Sequence, residues 1–280
     1  MSARRVAVLL ACGLAALPAS ADWKSSLGKF AEQAKEIKAA VVVPEEDEER
    51  ALGQDVAATL LGASKPVANP KLQQYVNRVG LWVALQGSRP NLAWRFAVLD
   101  NDNVNAFATP GGYVFITRGL LAQLQSEAEL AAVLGHEIAH VEKKHHLKAM
   151  KKDAGIKLLG RGVGHVAGGA GSAEDRERLS KVAGVAKGLY ARGLDKEDEY
   201  DADRLGTVLA ARAGYDPYGM VQVLQTLDSV NADSGKFALL FKTHPKPAER
   251  LARLDQALGS RLDSVGQRPA VADRFLKTAR

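Results

Sequence analysis

The sequence predicts an α+β fold, mostly helical, with helices around a small antiparallel sheet. Three observations predict it. Apolar residues recur at helical spacing through residues 48–61 and 70–86. Three short β-branched and aromatic runs lie close together between residues 94 and 117, divided by turn-forming residues. An apolar stretch at the centre of the chain, SEAELAAVLGHEIAHVEKKHH, reads as one buried helix and contains His136-Glu137-Ile138-Ala139-His140.

The composition suits a globular chain: 46% hydrophobic and 25% charged residues, with a formal charge of +6. The acidic run Glu45-Glu46-Asp47-Glu48-Glu49 offsets the basic stretches near Lys143–Lys152 and the C-terminus, and no basic face interleaved with aromatics is present. Nucleic acid is therefore not an expected partner.

Taken in order, residues 1–21 read as a signal peptide. Arg4 and Arg5 form its charged region, Val6 to Leu17 its apolar region, and Ala19-Ser20-Ala21 its cleavage site, so Asp22 becomes the mature N-terminus and the protein is exported. The apolar run is well short of the ~20 residues that span a bilayer. The alternative is Leu9-Leu10-Ala11-Cys12, which resembles a lipoprotein box and would place the chain on the outer membrane, acylated on Cys12. Cleavage after Ala21 removes the chain's one cysteine, leaving histidine and carboxylate as metal ligands.

Residues 22–45 form an amphipathic helix and linker, with Trp23, Leu27, Phe30, Ala34 and Ile37 on one face. Two further helices follow. Residues 94–99 form the first strand and end at Asp100-Asn101-Asp102-Asn103; residues 104–108 form the second; Pro110-Gly111-Gly112 turns the chain into the third, 113–117. A short helix starts at Gly119. Ser126 and Glu129 then make a capping box at the start of the central helix. Seven glycines make 153–172 weak as a helix, and His165 reads there as polar surface. A helix runs from Pro247 to Leu258, and residues 259–280 read as a C-terminal tail.

The central helix carries the chemistry. Residues four apart lie about 40° apart around a helix, so His136 and His140 can both reach one metal ion, and Glu137 sits at the edge of that face, placed to take a proton from the attacking water. The competing reading is a pair of hydrogen-bonded core histidines. A buried pair beside a glutamate needs partners, because unpaired buried polar groups are costly. His145 falls about 180° from His136 if the helix continues. Both His145 and His146 then read as helix-end residues meeting the helix dipole or solvent.

A catalytic zinc site needs a third protein ligand. The candidates lie in the charged stretch Asp195 to Arg204. Glu199 is followed four residues later by Asp203, which gives a ligand and a carboxylate to hold a ligand histidine; Glu197 with Asp201 has the same spacing, so residue chemistry leaves the choice open.

Four pieces of the chain together resemble the HtpX- and BepA-like zinc metallopeptidases, a gluzincin family that includes the CAAX prenyl proteases. They are Val104-Asn105-Ala106-Phe107 with Pro110-Gly111-Gly112; Gly135 to Val141 around the histidine pair; Glu199-x-x-Ala202-Asp203-Arg204; and Thr243-His244-Pro245 with Arg250. The resemblance implies a zincin-like metallopeptidase domain over 46–258, one zinc ion per chain held by His136, His140 and Glu199, Asp203 supporting a ligand histidine, and Glu137 as the catalytic base. It implies that His244 is a fourth ligand that plugs the site; the alternative is a loop histidine preceding the 247–258 helix. It implies an edge strand at Asn105, Ala106 and Phe107 that holds an extended peptide by its backbone. The expected function is a periplasmic metalloendopeptidase for unfolded or misfolded exported proteins, of a soluble type without a tetratricopeptide domain. Peripheral association with the outer membrane or its assembly machinery fits the same resemblance. A zinc-containing chaperone-like module with little turnover is the alternative. Tyr200, Arg250 and Arg253 are candidates for stabilising the oxyanion.

Overall fold

The computed structural model describes residues 46–154, 184, 188–230, 235–265 and 268–279. The expected signal peptide, Cys12 and the 22–45 helix and linker lie outside the described residues, as does most of the glycine-rich 153–172 stretch with His165.

Two helices lead into the sheet, α1 (Glu46–Ala63) and α2 (Pro70–Ala84). The side chain of Asn69 accepts the Leu72 N–H, and Pro70 occupies the first turn, where a missing N–H costs nothing. Leu72, Tyr75, Val76, Val79 and Val83 form the buried face of α2, at the spacing the sequence showed.

The strands are β1 (Arg95–Leu99), β2 (Ala106–Thr109) and β3 (Tyr113–Thr117), in the order β1-β3-β2. β2 and β3 form an antiparallel hairpin. Its turn needs glycine at two positions, since Gly111 and Gly112 have φ of 77° and 96°. β1, however, pairs with β3 in parallel, Arg95 opposite Tyr113 and Leu99 opposite Thr117. The sheet is therefore mixed, where the sequence suggested an antiparallel one. The cause is the 100–105 loop, which carries the chain past β3 before β2 begins. Arg118 holds that loop through Asp100 and Asp102, each at 3.0 Å.

The two sheet edges differ. On β1, Gln73 and Asn77 of α2 cap the edge: Gln73 accepts from the Val98 N–H and donates to the Val98 carbonyl, and Asn77 accepts from the Phe96 N–H. The edge left for other partners is β2.

After the short helix α3 (Arg118–Leu121) comes α4 (Glu127–Glu142), whose residues from Glu127 to Val141 are all buried. Ser126 caps it by accepting the Glu129 N–H at 3.2 Å, and Glu129 reaches back to the Gln125 N–H. The remaining elements are α5 (His145–Ala154), α6 (Lys196–Arg212), α7 (Gly219–Ser229), α8 (Ala238–Thr243), α9 (Pro247–Leu258), a 3-10 stretch Gly259–Val265 and α10 (Ala272–Ala279). The principal core gathers Trp94, Val98, Ile116, Leu130, Leu134, Ile138, Leu209 and Phe275. Each large side chain of this kind contributes about 1.5–3 kcal/mol on burial.

Two features of this packing position the site. Helices α4 and α6 touch backbone to backbone at Gly135 and Gly206: a Cβ on Gly206 would lie 2.5 Å from the His136 nitrogen, and one on Gly135 would lie 2.7 Å from the Gly206 carbonyl oxygen. Only glycine at both places lets α6 come this close. The residues read as a tail also join the body. Phe275 is fully buried, Arg274 pairs with Glu127 at the start of α4, and the Ala128 N–H donates to the Ala270 carbonyl. Among the described residues no helix is long and apolar enough to cross a membrane.

Candidate metal centre

His136 and His140 lie one turn apart on α4, with Nε2 atoms 3.0 Å from each other. Glu199, from the first turn of α6, reaches beneath them: its Oε1 is 3.5 Å from His140 Nε2 and its Oε2 3.6 Å from His136 Nε2. These donor atoms all lie within 4.8 Å of one another, and Glu199 Oε2 is buried without a hydrogen-bond partner. Two imidazole nitrogens and a carboxylate oxygen converging on one point, one of them orphaned, fit a zinc ion. Of the three adjacent acids, Glu197 points to solvent with its side chain 81% exposed, Asp198 turns towards His145, and Glu199 enters the interior. His244, which comes directly after α8, brings Nε2 to 3.6 Å from Glu199 Oε2, while its Nδ1 lies 2.9 Å from Thr243 Oγ1.

Asp203 lies one turn beyond Glu199 and holds the first histidine, with Oδ1 2.9 Å from His136 Nδ1. Arg250 of α9 donates twice to the same carboxylate, at 2.8 and 2.5 Å. Burial alone would raise Asp203, but the Arg250 guanidinium and the His136 bond hold it well below the usual carboxylate range. With the Nδ1 proton directed to Asp203, the Nε2 lone pair faces the site. Burial opposes a charged ring on His136, yet without a metal the bonds to Asp203 and Glu199 outweigh it and push this histidine up to about 9, so a metal ion must displace the Nε2 proton to bind. For Glu199, burial is overcome by His244, His136 and Arg250, which lower it.

Glu137 is buried on the side of α4 that faces β2. Burial pushes its carboxyl up to about 7, against the opposing pull of His136, Arg250 and the Ala108 backbone. The Ala108 carbonyl accepts the Tyr190 hydroxyl at 2.5 Å. Asn105, in contrast, exchanges hydrogen bonds with Thr117. Alternation along an antiparallel edge then directs the N–H and C=O of Ala106 away from β3 and into the cleft. That cleft has a volume of about 110 Å³, with Asn105, Ala106, Phe107, Glu137, His140, Tyr190 and His244 among its walls. On the other side of His244 is an apolar recess of about 30 Å³, lined by Leu120, Val133, Val223 and Leu227.

The oxyanion candidates stand apart from the cleft. Arg250 is beside the site, but its guanidinium is engaged by Asp203. Tyr200 donates to Glu249, and Arg253 lies over the Tyr200 ring, both away from the cleft walls. His145 and His146 are not helix-end residues facing solvent. α4 ends at Glu142, and Lys144 adopts φ of 56°. A left-handed lysine costs roughly 1–2 kcal/mol. Its ammonium lies 2.9 Å from the fully buried Glu49, which Arg89 also pairs at 2.8 Å. The reversal folds His145 and His146 back onto His140, so five of the chain's six histidines gather here. His146 stacks on Tyr190 with ring centroids 5.0 Å apart. Tyr190 escapes the sequence reading, and His145 and His146 read there as helix-end residues because no spacing rule marks a helix break tied to a distant glutamate.

The chain is similar to several known proteases. The beta-barrel assembly-enhancing protease of Escherichia coli is 29% identical over 210 residues, covering 73% of this chain and 42% of the relative. The Mitochondrial metalloendopeptidase OMA1 of Schizosaccharomyces pombe is 28% identical over 184 residues, 66% of this chain and 52% of the relative. Metalloprotease YcaL of Escherichia coli is 31% identical over 166 residues, 59% of this chain and 62% of the relative. The match thus spans about two fifths of the length of the beta-barrel assembly-enhancing protease. Residues 70–258, from the start of α2 to the end of α9 and including every donor of the metal centre, match the family as a whole, and the chain belongs to peptidase family M48.

Proposed function

We propose that the chain is a zinc-dependent metalloendopeptidase, with one zinc held by His136, His140 and Glu199. The observation that carries this reading is the convergence of those three side chains beside the buried Glu137. When bound, zinc supplies Lewis-acid polarisation of the scissile carbonyl and acidifies the attacking water. Glu137 accepts the proton of that water and returns it to the leaving amine nitrogen. Its carboxyl lines the same cleft as Ala106 and Phe107 of β2. Asp203, clamped by Arg250, keeps His136 in one tautomer. The outward N–H and C=O of Ala106 pair with an extended substrate strand, and Asn105 and Phe107 flank it. Recognition through backbone favours unfolded or misfolded polypeptides over one sequence.

His244 stands within reach of the same donors, which supports a fourth-ligand or plug role and a low resting turnover. The signal-peptide pattern in residues 1–21 supports a periplasmic location, with acylation on Cys12 as the alternative. The name of the beta-barrel assembly-enhancing relatives supports a partner in beta-barrel assembly.

The test is cleavage of casein by the zinc-loaded protein beside Glu137→Gln. The reading expects cleavage by the first and a loss of roughly 10²–10⁴-fold in the second. Equal cleavage by both would remove Glu137 from the mechanism.

A further inference from the structure

His136 and His140 are supported differently. His136 turns its Nδ1 to Asp203, a buried carboxylate neutralised by Arg250. His140 turns its Nδ1 to another imidazole: His145 Nδ1 lies 3.0 Å away. Since His140 Nε2 faces Glu199 and His136, its proton sits on Nδ1 and donates to His145. The His145 proton is then on Nε2, which faces Asp198 Oδ1 at 3.4 Å and Asp201 Oδ2 at 4.0 Å. His145 itself is 2% exposed, while Asp198 keeps its side chain 30% exposed at the rim. Lys143 faces Asp201 at 3.3 Å and leaves Asp198 to the histidine.

We propose that His145 is a positioning residue for the metal centre, holding His140 in the ligating tautomer and orientation and held in turn by Asp198. This rests on the zinc reading of the site. Charge explains why an imidazole stands here. Glu199, Asp203 and Glu137 already bring three buried carboxylates to the site, against one buried guanidinium from Arg250. Together with a divalent zinc these charges cancel. A carboxylate in direct contact with His140 would add an uncompensated buried charge, whereas a neutral imidazole accepts the same hydrogen bond and passes the demand for an anion outward to Asp198, where water screens it. The left-handed Lys144, tethered to Glu49, delivers His145 to this position.

The experiment measures zinc affinity of the full chain by competition with a chromophoric chelator, and the visible spectrum of its cobalt-substituted form. It compares wild type with His145→Leu, His145→Asn, Asp198→Asn and, as control, His140→Ala. His145→Leu is expected to lose about 10–100-fold in zinc affinity and to shift the cobalt spectrum. His145→Asn is expected to restore most of the affinity, because its amide oxygen can accept the His140 proton. A folded His145→Leu that binds zinc as tightly as wild type overturns the inference. So does a His145→Asn that loses as much as His145→Leu, which would mark a packing role only. If His145→Leu does not fold, the rim variant Asp198→Asn decides: weakened binding supports the relay and unchanged binding overturns it. Failure of wild type to bind zinc, or undiminished binding by His140→Ala, would instead overturn the zinc reading and this inference with it.

Discussion

Each polar residue at the centre is given its role by its neighbours. Glu137 and Glu199 are both buried glutamates on adjoining helices, yet burial raises Glu137 to about 7 while His244, His136 and Arg250 hold Glu199 low. One is suited to carry a proton and the other to stay an anionic ligand. His244 is the residue whose substitution should be most informative. Its Nε2 lies 3.6 Å from Glu199 Oε2. If it plugs the site, His244→Ala raises casein cleavage by the zinc-loaded protein several-fold; unchanged cleavage by a zinc-replete variant would argue against the plug. Arg250→Met addresses the clamp on Asp203. It leaves a buried carboxylate with one partner fewer, so a stability loss of about 3–5 kcal/mol is expected, read from urea melts.

At the scale of elements, the site depends on how closely two helices approach. Gly206→Ala would place a methyl group 2.5 Å from the His136 nitrogen, so α6 must retreat and carry Glu199 with it. The expected result is a loss of about 1–3 kcal/mol in stability together with weaker zinc binding. A variant with wild-type zinc affinity would show that the glycine contact does not set the ligand geometry. The sheet contributes through its edges. Gln73 and Asn77 close β1, while Tyr190 occupies the Ala108 carbonyl on β2, and the open backbone pair at Ala106 lies in the cleft that Glu137 also lines.

At the scale of the whole molecule, residues distant in sequence lock the site's scaffold. Glu127, at the start of α4, accepts hydrogen bonds from Tyr75 of α2 at 2.7 Å and Tyr215 at 2.8 Å, and from Arg274 of α10. Burial would raise Glu127, but these donors outweigh it and lower it; Glu49 is lowered in the same way by Arg89 and Lys144. Carboxylates depressed in the folded state contribute stability above their unfolded pKa of about 4.3, and that stability is lost as pH falls through the folded value. Thermal melts should therefore show Glu127→Gln less stable than wild type at neutral pH, by about 1–3 kcal/mol, with the gap closing in acid. A gap independent of pH would mean that the charge of Glu127 is not what stabilises. The proposed zinc would act at the same scale: a chelator should lower the melting temperature of the zinc-loaded protein, because His136, His140 and Glu199 would lose a shared partner.

Short-range periodicity and residue chemistry are properties of the sequence alone, and they determined much of this protein. The histidine pair one helical turn apart, the buried glutamate beside it, the capped start of α4, the strands 94–117 and the Pro247–Leu258 helix were all legible there. So was the family, from four motifs in order. Helical spacing left Glu197, Asp198 and Glu199 equivalent; only the crossing of α6 over α4 at Gly206 and Gly135 turns Glu199 inward. The parallel pairing of β1 with β3, the break at Lys144, the return of His145 and His146 to His140 and the place of Tyr190 in the cleft were likewise decided in three dimensions. Periodicity records which face of an element is buried; it carries no record of the distant charge or backbone that meets that face, such as Glu49 drawing Lys144 out of the helix.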